Sequence, residues 1–407
     1  MRRAVTLVVA FLLVSPCAYA ETSRDALVAE VLANNPSVKA RASAREAYRH
    51  EAAAAGKWPD PQAAFMVDRF PDQAMPMFRY QVSQMVPWPG KLGLMRDAAT
   101  RQGEAADAGV EVRRLDLVLE VKRALAMLRL NARRRAVNRA SRAVATTIAN
   151  AALGRYSAGM GSHHEVSRTQ VEINALDIEL VSLEGERSAM VAMLNALRNA
   201  APDAPIDDPP EVTMTVSDQP LPTHLERAIA NRPELRGMAA MQGEMVAMSD
   251  LAKRETYPDF MGSIWLNQMS GNPVAIGGML AVSVPVFGVS RQRERAAAFD
   301  ARALGASQDE AAMRAMIRYE VSAALSRAQT AARQRDLVAH VALPRARESF
   351  QTSLAGFGSG TVDIVGVLDA RRALQATEVA LAEADAALEA GLAELDRAIG
   401  VMPGKSP

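Results

Sequence analysis

The sequence has 407 residues, with 47 lysine and arginine residues against 46 aspartate and glutamate residues. This near balance argues against a nucleic-acid-binding protein, which normally carries a clear basic excess. Only 4% of the residues are aromatic although 49% are hydrophobic, and this composition favours long helices over a compact globular enzyme.

The N-terminus has the three parts of a secretory signal peptide. Basic residues at Arg2 and Arg3 precede a short apolar run, and Ala18-Tyr19-Ala20 forms an A-x-A cleavage site. We therefore predict that residues 1–20 are removed on export. The single Cys17 lies in this segment and follows Pro16, where lipid attachment would need a small residue, so the mature chain has no thiol for a disulfide or a metal site. Beyond it, no apolar run approaches the roughly 18 residues of a membrane-spanning helix.

The rest of the chain shows the same order of features twice, displaced by about 198 residues. We predict a first structural repeat at 21–200 and a second at 223–402. A proline-rich linker at 201–222, expected to be non-helical, joins them, and a tail follows at 403–407. The recurring features are Ala33–Pro36 and Ala230–Pro233, Trp58–Asp60 and Tyr257–Asp259, Val86-Pro87 and Val284-Pro285, Ala158–Ser162 and Ala355–Ser359, and the ladders Leu176, Leu183, Met190, Leu197 and Leu374, Leu381, Leu388, Leu395.

Each repeat is predicted to contain two short helices, a β-hairpin and two long helices in that order. Alternating apolar and polar residues indicate hairpins at about 61–87 and 259–287, with ~8–10 residues in each strand. The long helix that follows each hairpin would reach ~80–95 Å at 1.5 Å per residue, with a kink expected at Pro344 in the second. The predicted ranges of the long helices are about 89–153, 163–199, 289–353 and 362–400.

Helices of this length cannot fold back into a compact domain and are expected to pack side by side as coiled-coil layers. Two hairpins supply four strands, which are too few to close a barrel, and open sheet edges are not tolerated in lipid. Closure then requires several copies of the chain, and three copies would supply a twelve-stranded barrel.

Four aromatic residues lie at the helix-proximal ends of the predicted strands, where a membrane interface favours them. They are Trp58, Trp88, Tyr257 and Phe287. The alternative is that they are ordinary hydrophobic plugs at helix–strand junctions.

The duplicated order of elements resembles the TolC family of outer-membrane efflux proteins over essentially the whole mature chain. The residues that carry the resemblance are Asn-x-Pro near each repeat start, Tyr257-Pro258-Asp259, Val282–Phe287, and Phe357-x-x-Gly360 leading to Val367–Ala370. The resemblance implies a mainly α fold with a β contribution, in which a homotrimeric periplasmic α-barrel continues a twelve-stranded outer-membrane β-barrel. It also implies a periplasmic adaptor and an inner-membrane pump, of the RND type, as partners. The chain would be a conduit without cofactors, not an enzyme.

In this family the turns between the long helices form periplasmic tips, which narrow the closed pore and dock the adaptor. The aromatic-x-x-Gly matches make Tyr156 and Phe357 pore candidates, and the glycines at both turns are docking candidates. Asp369 matches the inner of the family's paired acids and would contribute to a cation-favouring ring, or it is a solvated acid on a helix face. The docking candidates are Gly159, Gly161, Gly358 and Gly360.

The sequence departs from the family at two gate positions. The companion acid is replaced by Gly366 and the gating arginine by Val362, so a charge-pair lock would have to be built elsewhere, with Glu165 and Asp363 as possible substitutes.

Val86–Leu92 is similar to the Pro-Gly-Lys turn that follows the first hairpin in the heavy-metal branch of the family, which contains CusC and CzcC.

Methionines crowd the first hairpin and its flanks, at Met66, Met75, Met77, Met85 and Met95. Thioethers suit Cu(I) or Ag(I), but methionine also fills irregular apolar gaps. The cargo is therefore left open between metal ions, such as copper and silver or cobalt, zinc and cadmium, and other small molecules. His163-His164-Glu165 is either a metal site or solvated polar surface.

Two other classes of protein, an enzyme and a soluble scaffold, fit the sequence less well than a channel. An enzyme is disfavoured because the sequence has no glycine-rich phosphate loop between a strand and a helix, and no paired carboxylates with a cleft. The alternative to a channel is a soluble periplasmic coiled-coil scaffold or adaptor. The strands argue against it, because one face of each is mostly apolar, with Gln84 as the exception.

Overall fold

The computed structural model describes residues 24–69, 76–210, 214–269, 272–285 and 287–402. The predicted signal peptide, Met75 and the predicted tail lie outside these ranges. Among the helices of the described ranges, none combines the length and the apolarity needed to cross a membrane. The elements are α1 Arg24–Asn34, α2 Pro36–Ala55, β1 Gln62–Asp68, β2 Met77–Val86, α3 Lys91–Ser157, α4 His163–Arg198, α5 Leu221–Asn231, α6 Pro233–Arg254, β3 Asp259–Met269, β4 Asn272–Ser283, α7 Gly288–Leu337, a π-helical turn Val338–Ala342, α8 Leu343–Ser359 and α9 Ile364–Ala398.

The helices form an elongated layer around α3, which has 67 residues and is about 100 Å long. Helix α3 packs against α2, α4, α6 and α9, and α7 packs against α6 and α9. The contact of α3 with α9 therefore joins the first half of the chain to the second.

Each half has its own core where the short helices meet the long ones. In the first half, Leu27 and Val31 of α1 pack with Leu117 and Val121 of α3, and Leu194 of α4 completes the cluster. In the second half, the equivalent cluster contains Leu235, Ile317, Val321 and Leu395. The three- and four-residue spacing of these side chains puts them on one stripe of each helix. Burying each of them contributes roughly 1.5–3 kcal/mol.

Two buried asparagines fix the register of α3 against α4. The Nδ2 of Asn131 donates to the carbonyl oxygen of Leu183 at 2.9 Å, and the Nδ2 of Asn138 donates to that of Leu176 at 3.2 Å. Both leucines belong to the predicted ladder and are buried. A one-residue slip would leave both amides unpaired in the core, which costs about 1–3 kcal/mol for each group.

The four strands form one antiparallel sheet in the order β1-β2-β3-β4. The hairpin of the second half therefore pairs with that of the first through β2 and β3, with Met77 opposite Met269 and Val86 opposite Phe260. Strands β1 and β4 form the outer edges of the sheet.

The structure differs from two predicted boundaries and has an irregular turn where the kink was expected. The long helix predicted at 289–353 is interrupted by the π-helical turn just before Pro344, because proline has no N–H to continue the α-helical ladder. Helix α8 then continues to Ser359, through residues that were expected to form the turn. The linker ends at Pro220, since Leu221 and Pro222 begin α5, where proline is tolerated in the first turn.

Candidate functional site

The sheet has one face that is almost wholly apolar and open. Phe65 on β1, Tyr80 on β2, Leu266 on β3 and Ile276 on β4 follow one another across it in register. Ile276 is 83% exposed in the single chain. The face consists of Ala63, Phe65, Val67, Phe78, Tyr80, Val82, Gln84, Val86, Phe260, Gly262, Ile264, Leu266, Gln268, Ile276, Gly278, Leu280 and Val282.

Gln84 and Gln268 are the polar side chains on this face, and the structure accounts for Gln84. Its Nε2 donates to the carbonyl oxygen of Pro59 at 2.8 Å and to that of Met85 at 2.8 Å. The amide is therefore occupied by the chain that leads into β1, and the apolar character of the face persists on both sides of it.

The opposite face of the sheet is mixed, with amides, hydroxyls and thioethers. The Nε of Arg79 donates to the Oδ1 of Asn267 at 3.0 Å across β2 and β3. Gln81 lies opposite Trp265, and Ser83 opposite Ser263. The two faces thus differ as the two faces of a sheet between lipid and water would.

Two motifs from different halves of the chain meet where the sheet joins the helices. The Nζ of Lys91, in the Pro-Gly-Lys turn, lies 2.7 Å from the Oδ1 of Asp259 in the Tyr-Pro-Asp motif and 3.0 Å from the carbonyl oxygen of Tyr257. The same carboxylate accepts from the backbone N–H of Trp88 at 2.7 Å. Gly90 has φ +92°, a backbone conformation that strains any residue with a Cβ, so the turn requires glycine here. This turn therefore fixes the junction in position.

The four predicted interface aromatics lie at this junction, and they differ in their packing: two stack on each other and two are exposed. Trp88 stacks on Tyr257 with ring centroids 5.3 Å apart, so these two rings support each other. Trp58 is largely exposed, and Phe287 is 94% exposed. Phe287 therefore does not pack as a hydrophobic plug within the single chain.

The first turn at the far end of the long helices connects α3 to α4. Gly159 adopts φ +75°, and the N–H of Met160 donates to the carbonyl oxygen of Arg155 at 2.9 Å to close α3. Gly161 lies tightly against the backbone of this turn. Tyr156 is 45% exposed, and its ring meets that of His163 edge-on at 5.9 Å.

The second turn connects α8 to α9 and has the same backbone, since Gly360 adopts φ +79°. Its aromatic residue differs from the prediction of a pore-lining ring. Phe357 is only 4% exposed, because it packs against Ile148 of α3 and Leu368 of α9. The guanidinium of Arg155 lies 4.9 Å above the ring and donates to the carbonyl oxygen of Phe357 at 2.8 Å.

The two proposed substitutes for the lock lie at the N-termini of α9 and α4. Asp363 caps α9 by accepting from the N–H of Gly366 at 2.8 Å. Glu165 is the third residue of α4, and its own N–H donates to the hydroxyl of Ser162, which is the N-cap of that helix, at 3.3 Å. Neither carboxylate forms an ion pair within the described part of the single chain, so a role of either acid in a lock stays a prediction.

Asp369 is exposed on α9 and has one loose partner, Arg372, at 3.5 Å. Gly358 lies in the last turn of α8, with open space where a side chain would be.

The candidate metal site at the first turn begins with His163, whose ring contacts the hydroxyl of Ser167 at 3.4 Å. No cluster of three or more His, Cys, Asp or Glu residues that could hold a metal occurs in the described ranges.

A buried ion cluster that the sequence did not predict lies between α4 and α9. The carboxylate of Glu172 accepts from the guanidinium groups of both Arg371 and Arg372, and Glu172 and Arg371 are buried. Arg371 also donates to the Oε1 of Gln375 at 2.9 Å. At the repeat displacement of about 198 residues Glu172 matches Ala370 and not an arginine, so the duplication gave no signal for this cluster.

The cluster shifts the pKa of its acid. Burial alone would raise the pKa of Glu172, but the hydrogen bond from Arg372 and the charges of both arginines outweigh burial, so the pKa lies below the usual value. Burial in turn lowers the pKa of Arg371. The cluster ties the third turns of α4 and α9 together, near the tip of the helical layer.

The family model for the outer membrane efflux protein matches the chain twice, over residues 27–200 and 224–401. The chain belongs to the outer membrane efflux protein family. The resemblance to the TolC family is thereby confirmed, and the protein is an outer-membrane channel of this family and not an enzyme.

Individual relatives of this efflux protein are distant in sequence. The cobalt-zinc-cadmium resistance protein CzcC of Cupriavidus metallidurans is 24% identical over 294 residues, which cover 70% of this chain and 68% of that protein. The outer-membrane channel OprN has a TM-score of 0.80 at 18% identity, covering 93% of this chain and 89% of that one. The outer membrane protein VceC from Vibrio cholerae has a TM-score of 0.79 at 18% identity, covering 94% and 97%. At these identities the solved structures establish the shared fold.

Proposed function

We propose that this efflux protein is the passive exit duct of a tripartite efflux system. It would assemble as a homotrimer, with three four-stranded sheets closed into one twelve-stranded barrel in the outer membrane and the helical layers extending into the periplasm as an α-barrel. Residues 1–20 would be cleaved as a signal peptide, and residues 21–200 and 223–402 would form the two repeats of each subunit.

The observation that carries the proposal is the sheet, whose apolar face is open and whose edges have no partner within the described residues. An open edge leaves backbone N–H and C=O groups without hydrogen bonds, at several kcal/mol for each group in lipid. Strand β1 of one copy pairing with β4 of the next removes both edges at once. The apolar face would then meet lipid and the mixed face would line the duct. A soluble scaffold has no use for such a face.

The helices also carry an apolar surface that the single chain leaves uncovered. Val171, Ile178 and Val181 lie on one side of α4, and Ile178 is 73% exposed. They are spaced by seven and three residues, which is the pattern of a helix–helix seam. A neighbouring subunit seated against α4 would cover this seam and extend the layer into a ring.

The first turn is the better candidate for a pore constriction, because Tyr156 is accessible and Phe357 is not. The exposed Met160 and the backbone at Gly159 and Gly161 would offer the adaptor a docking surface. Asp369 would contribute one acid per subunit to a ring, and a ring of acids favours cations.

The proposed partners are a periplasmic adaptor and an inner-membrane pump of the RND type, which would supply the energy for transport. The proposed cargo is a heavy-metal cation, supported by the similarity to a cobalt-zinc-cadmium resistance protein. Deleting the gene and measuring growth at graded concentrations of metal salts and of antibiotics tests this cargo. Greater sensitivity to antibiotics alone would contradict it.

The assembly is tested by the mass of the detergent-extracted protein, which we expect to be that of a trimer from the outer-membrane fraction. Replacing Ile178 with Arg should release monomers, because a charge in the α4 seam cannot be desolvated cheaply. The matched control Ile178→Leu should remain trimeric. A soluble periplasmic monomer from the unsubstituted chain would refute the proposal.

A further inference from the structure

We propose that the mixed face of the sheet carries a binding site for a soft monovalent cation, Cu(I) or Ag(I), with the thioether of Met85 at its centre. That such an ion is cargo rests on the proposed function, whereas the site itself rests on the geometry of the sheet.

All the methionines of the four strands lie on one face, which we call the methionine face. The register assigns them to the side of Gln81 and Ser83, and none to the apolar side. If methionine served only as apolar filling, the apolar face would be its natural place, yet that face uses Val, Ile, Leu and aromatic residues. The methionines of this face are Met66, Met77, Met85, Met261, Met269 and Met279.

The methionine face brings thioethers together across neighbouring strands. Met85 on β2 lies directly opposite Met261 on β3, and Met77 lies opposite Met269. Side chains in such pairs have Cβ atoms about 4.5–5.5 Å apart. Met279 on β4 lies opposite Ser263, which places it diagonally to Met261. Three strands thus contribute a thioether around one point.

Ser263 gives an independent sign that this point takes a ligand. It is 5% exposed, and its Oγ has no hydrogen-bond partner among the described residues. A buried hydroxyl left unpaired costs about 1–3 kcal/mol. A bound ion that carries a water molecule would give this hydroxyl a partner.

Met85 also lines a cavity of about 560 Å³ between the sheet and the helices. Met95 of α3 adds a further thioether to its wall. The cavity has two carboxylates, but Asp259 is paired with Lys91 at 2.7 Å and Glu255 with Arg295 at 3.2 Å. Both carboxylates are therefore already paired, whereas the thioethers of Met85 and Met95 are available as metal ligands.

This donor set selects between classes of metal. Zn²⁺ and Co²⁺ favour imidazole, thiolate and carboxylate ligands, whereas thioethers favour Cu(I) and the similarly soft Ag(I). The amino groups and guanidinium of the cavity further disfavour a double charge over a single one. The site therefore suits a soft monovalent ion and not the divalent ions in the name of the cobalt-zinc-cadmium relative.

Calorimetric titration of the detergent-solubilised full chain with Ag(I), in chloride-free buffer, tests the site. The double variant Met85→Leu with Met261→Leu keeps side-chain volume and should raise the Kd for Ag(I) by about tenfold or more. The matched control is Met241→Leu with Met316→Leu, two exposed methionines on helices, which should leave the Kd unchanged. An excess of Zn²⁺ should not displace Ag(I).

An unchanged Kd in the first variant would overturn the site, and so would an equal loss in the control or displacement by Zn²⁺. Circular dichroism and elution volume establish that both variants are folded. Export is measured separately, in a deletion strain that carries the unsubstituted chain. A failed silver titration therefore leaves the proposed function standing, and a failed export assay leaves the binding site standing.

Discussion

The two turns at the end of the long helices share a sequence pattern and a backbone, but they differ in what they bury. At the first turn Tyr156 is nearly half exposed, whereas at the second Phe357 is enclosed by α3 and α9. Arg155, beside the first turn, covers the ring of the second. The first half of the chain thus supports the second turn, and its own turn stays free for a partner.

A repeated motif therefore fixes the local backbone conformation but not whether its aromatic side chain is buried or exposed. The left-handed glycine in each motif closes a helix wherever it stands. Whether the aromatic side chain three residues earlier is core or surface depends on the helices beside it, which differ between the two halves. The predictions below test the surroundings of the two turns, in decreasing order of their expected effect on stability.

The largest expected effect is at Phe357. Replacing it with Ala should cost about 3–5 kcal/mol, because the cavity would be enclosed on several sides and Arg155 would lose its ring. Tyr156→Ala should cost less than about 1 kcal/mol, since much of that ring already meets solvent. Thermal unfolding in detergent measures both. Equal losses at the two turns would show that their environments do not differ.

The next effect is at Glu172. Glu172→Gln should cost roughly 2–4 kcal/mol, because Arg371 stays buried without its acid while the half-exposed Arg372 can turn to solvent. Hydrogen exchange at the third turns of α4 and α9, where the cluster lies, measures the loss of their attachment. Asp369→Asn, which removes a neighbouring exposed acid, is the matched control and should leave exchange unchanged.

The same cluster makes the attachment depend on pH. The folded pKa of Glu172 is below its usual value, so its contribution is complete above the ordinary glutamate pKa of about 4.3 and is lost as the pH falls toward the lowered folded value. The protection factors of the amides at both turns, that is, exchange relative to the unfolded chain at the same pH, should therefore fall on acidification, and less so in Glu172→Gln. An identical acid response in the two proteins would contradict this.

The glycines give a smaller and shared effect. Gly159→Ala and Gly360→Ala should each cost about 1 kcal/mol, because both have positive φ and open space around them. Gly358→Ala, also in open space but helical, should stabilise α8 by about 0.5–1 kcal/mol. Chemical denaturation of the three variants compares them. A loss at one turn only would mean that the turns do not share a backbone.

The smallest effect on stability is expected at Asp369. Asp369→Ala should change the folded chain little, since its side chain is exposed, but it should reduce the preference of the reconstituted channel for cations. Reversal potentials in a salt gradient across a planar bilayer measure that preference. Unchanged selectivity would refute the acidic ring.

Much of the fold can be predicted from the sequence because it follows from the periodicity of the apolar residues. The alternation around Phe65 and Tyr80 indicated strands, and the seven-residue ladder through Leu176 and Leu183 indicated a packed helix. The end of the helix before Gly360 was predicted too early, because Gly356 and Gly358 resemble turn residues and a buried Phe357 carries the helix through them. The Glu172 cluster escaped notice because its members are about 200 residues apart.

The sequence by itself determined the duplicated order of elements, the two faces of the strands and the left-handed glycines, since each depends on neighbours along the chain. Only the tertiary structure decided that Lys91 meets Asp259, that Arg155 covers Phe357 and that Glu172 holds two arginines. These contacts join the two halves of the chain. Their partners are set by how α3 packs on α9 and β2 on β3, which no local pattern of residues specifies.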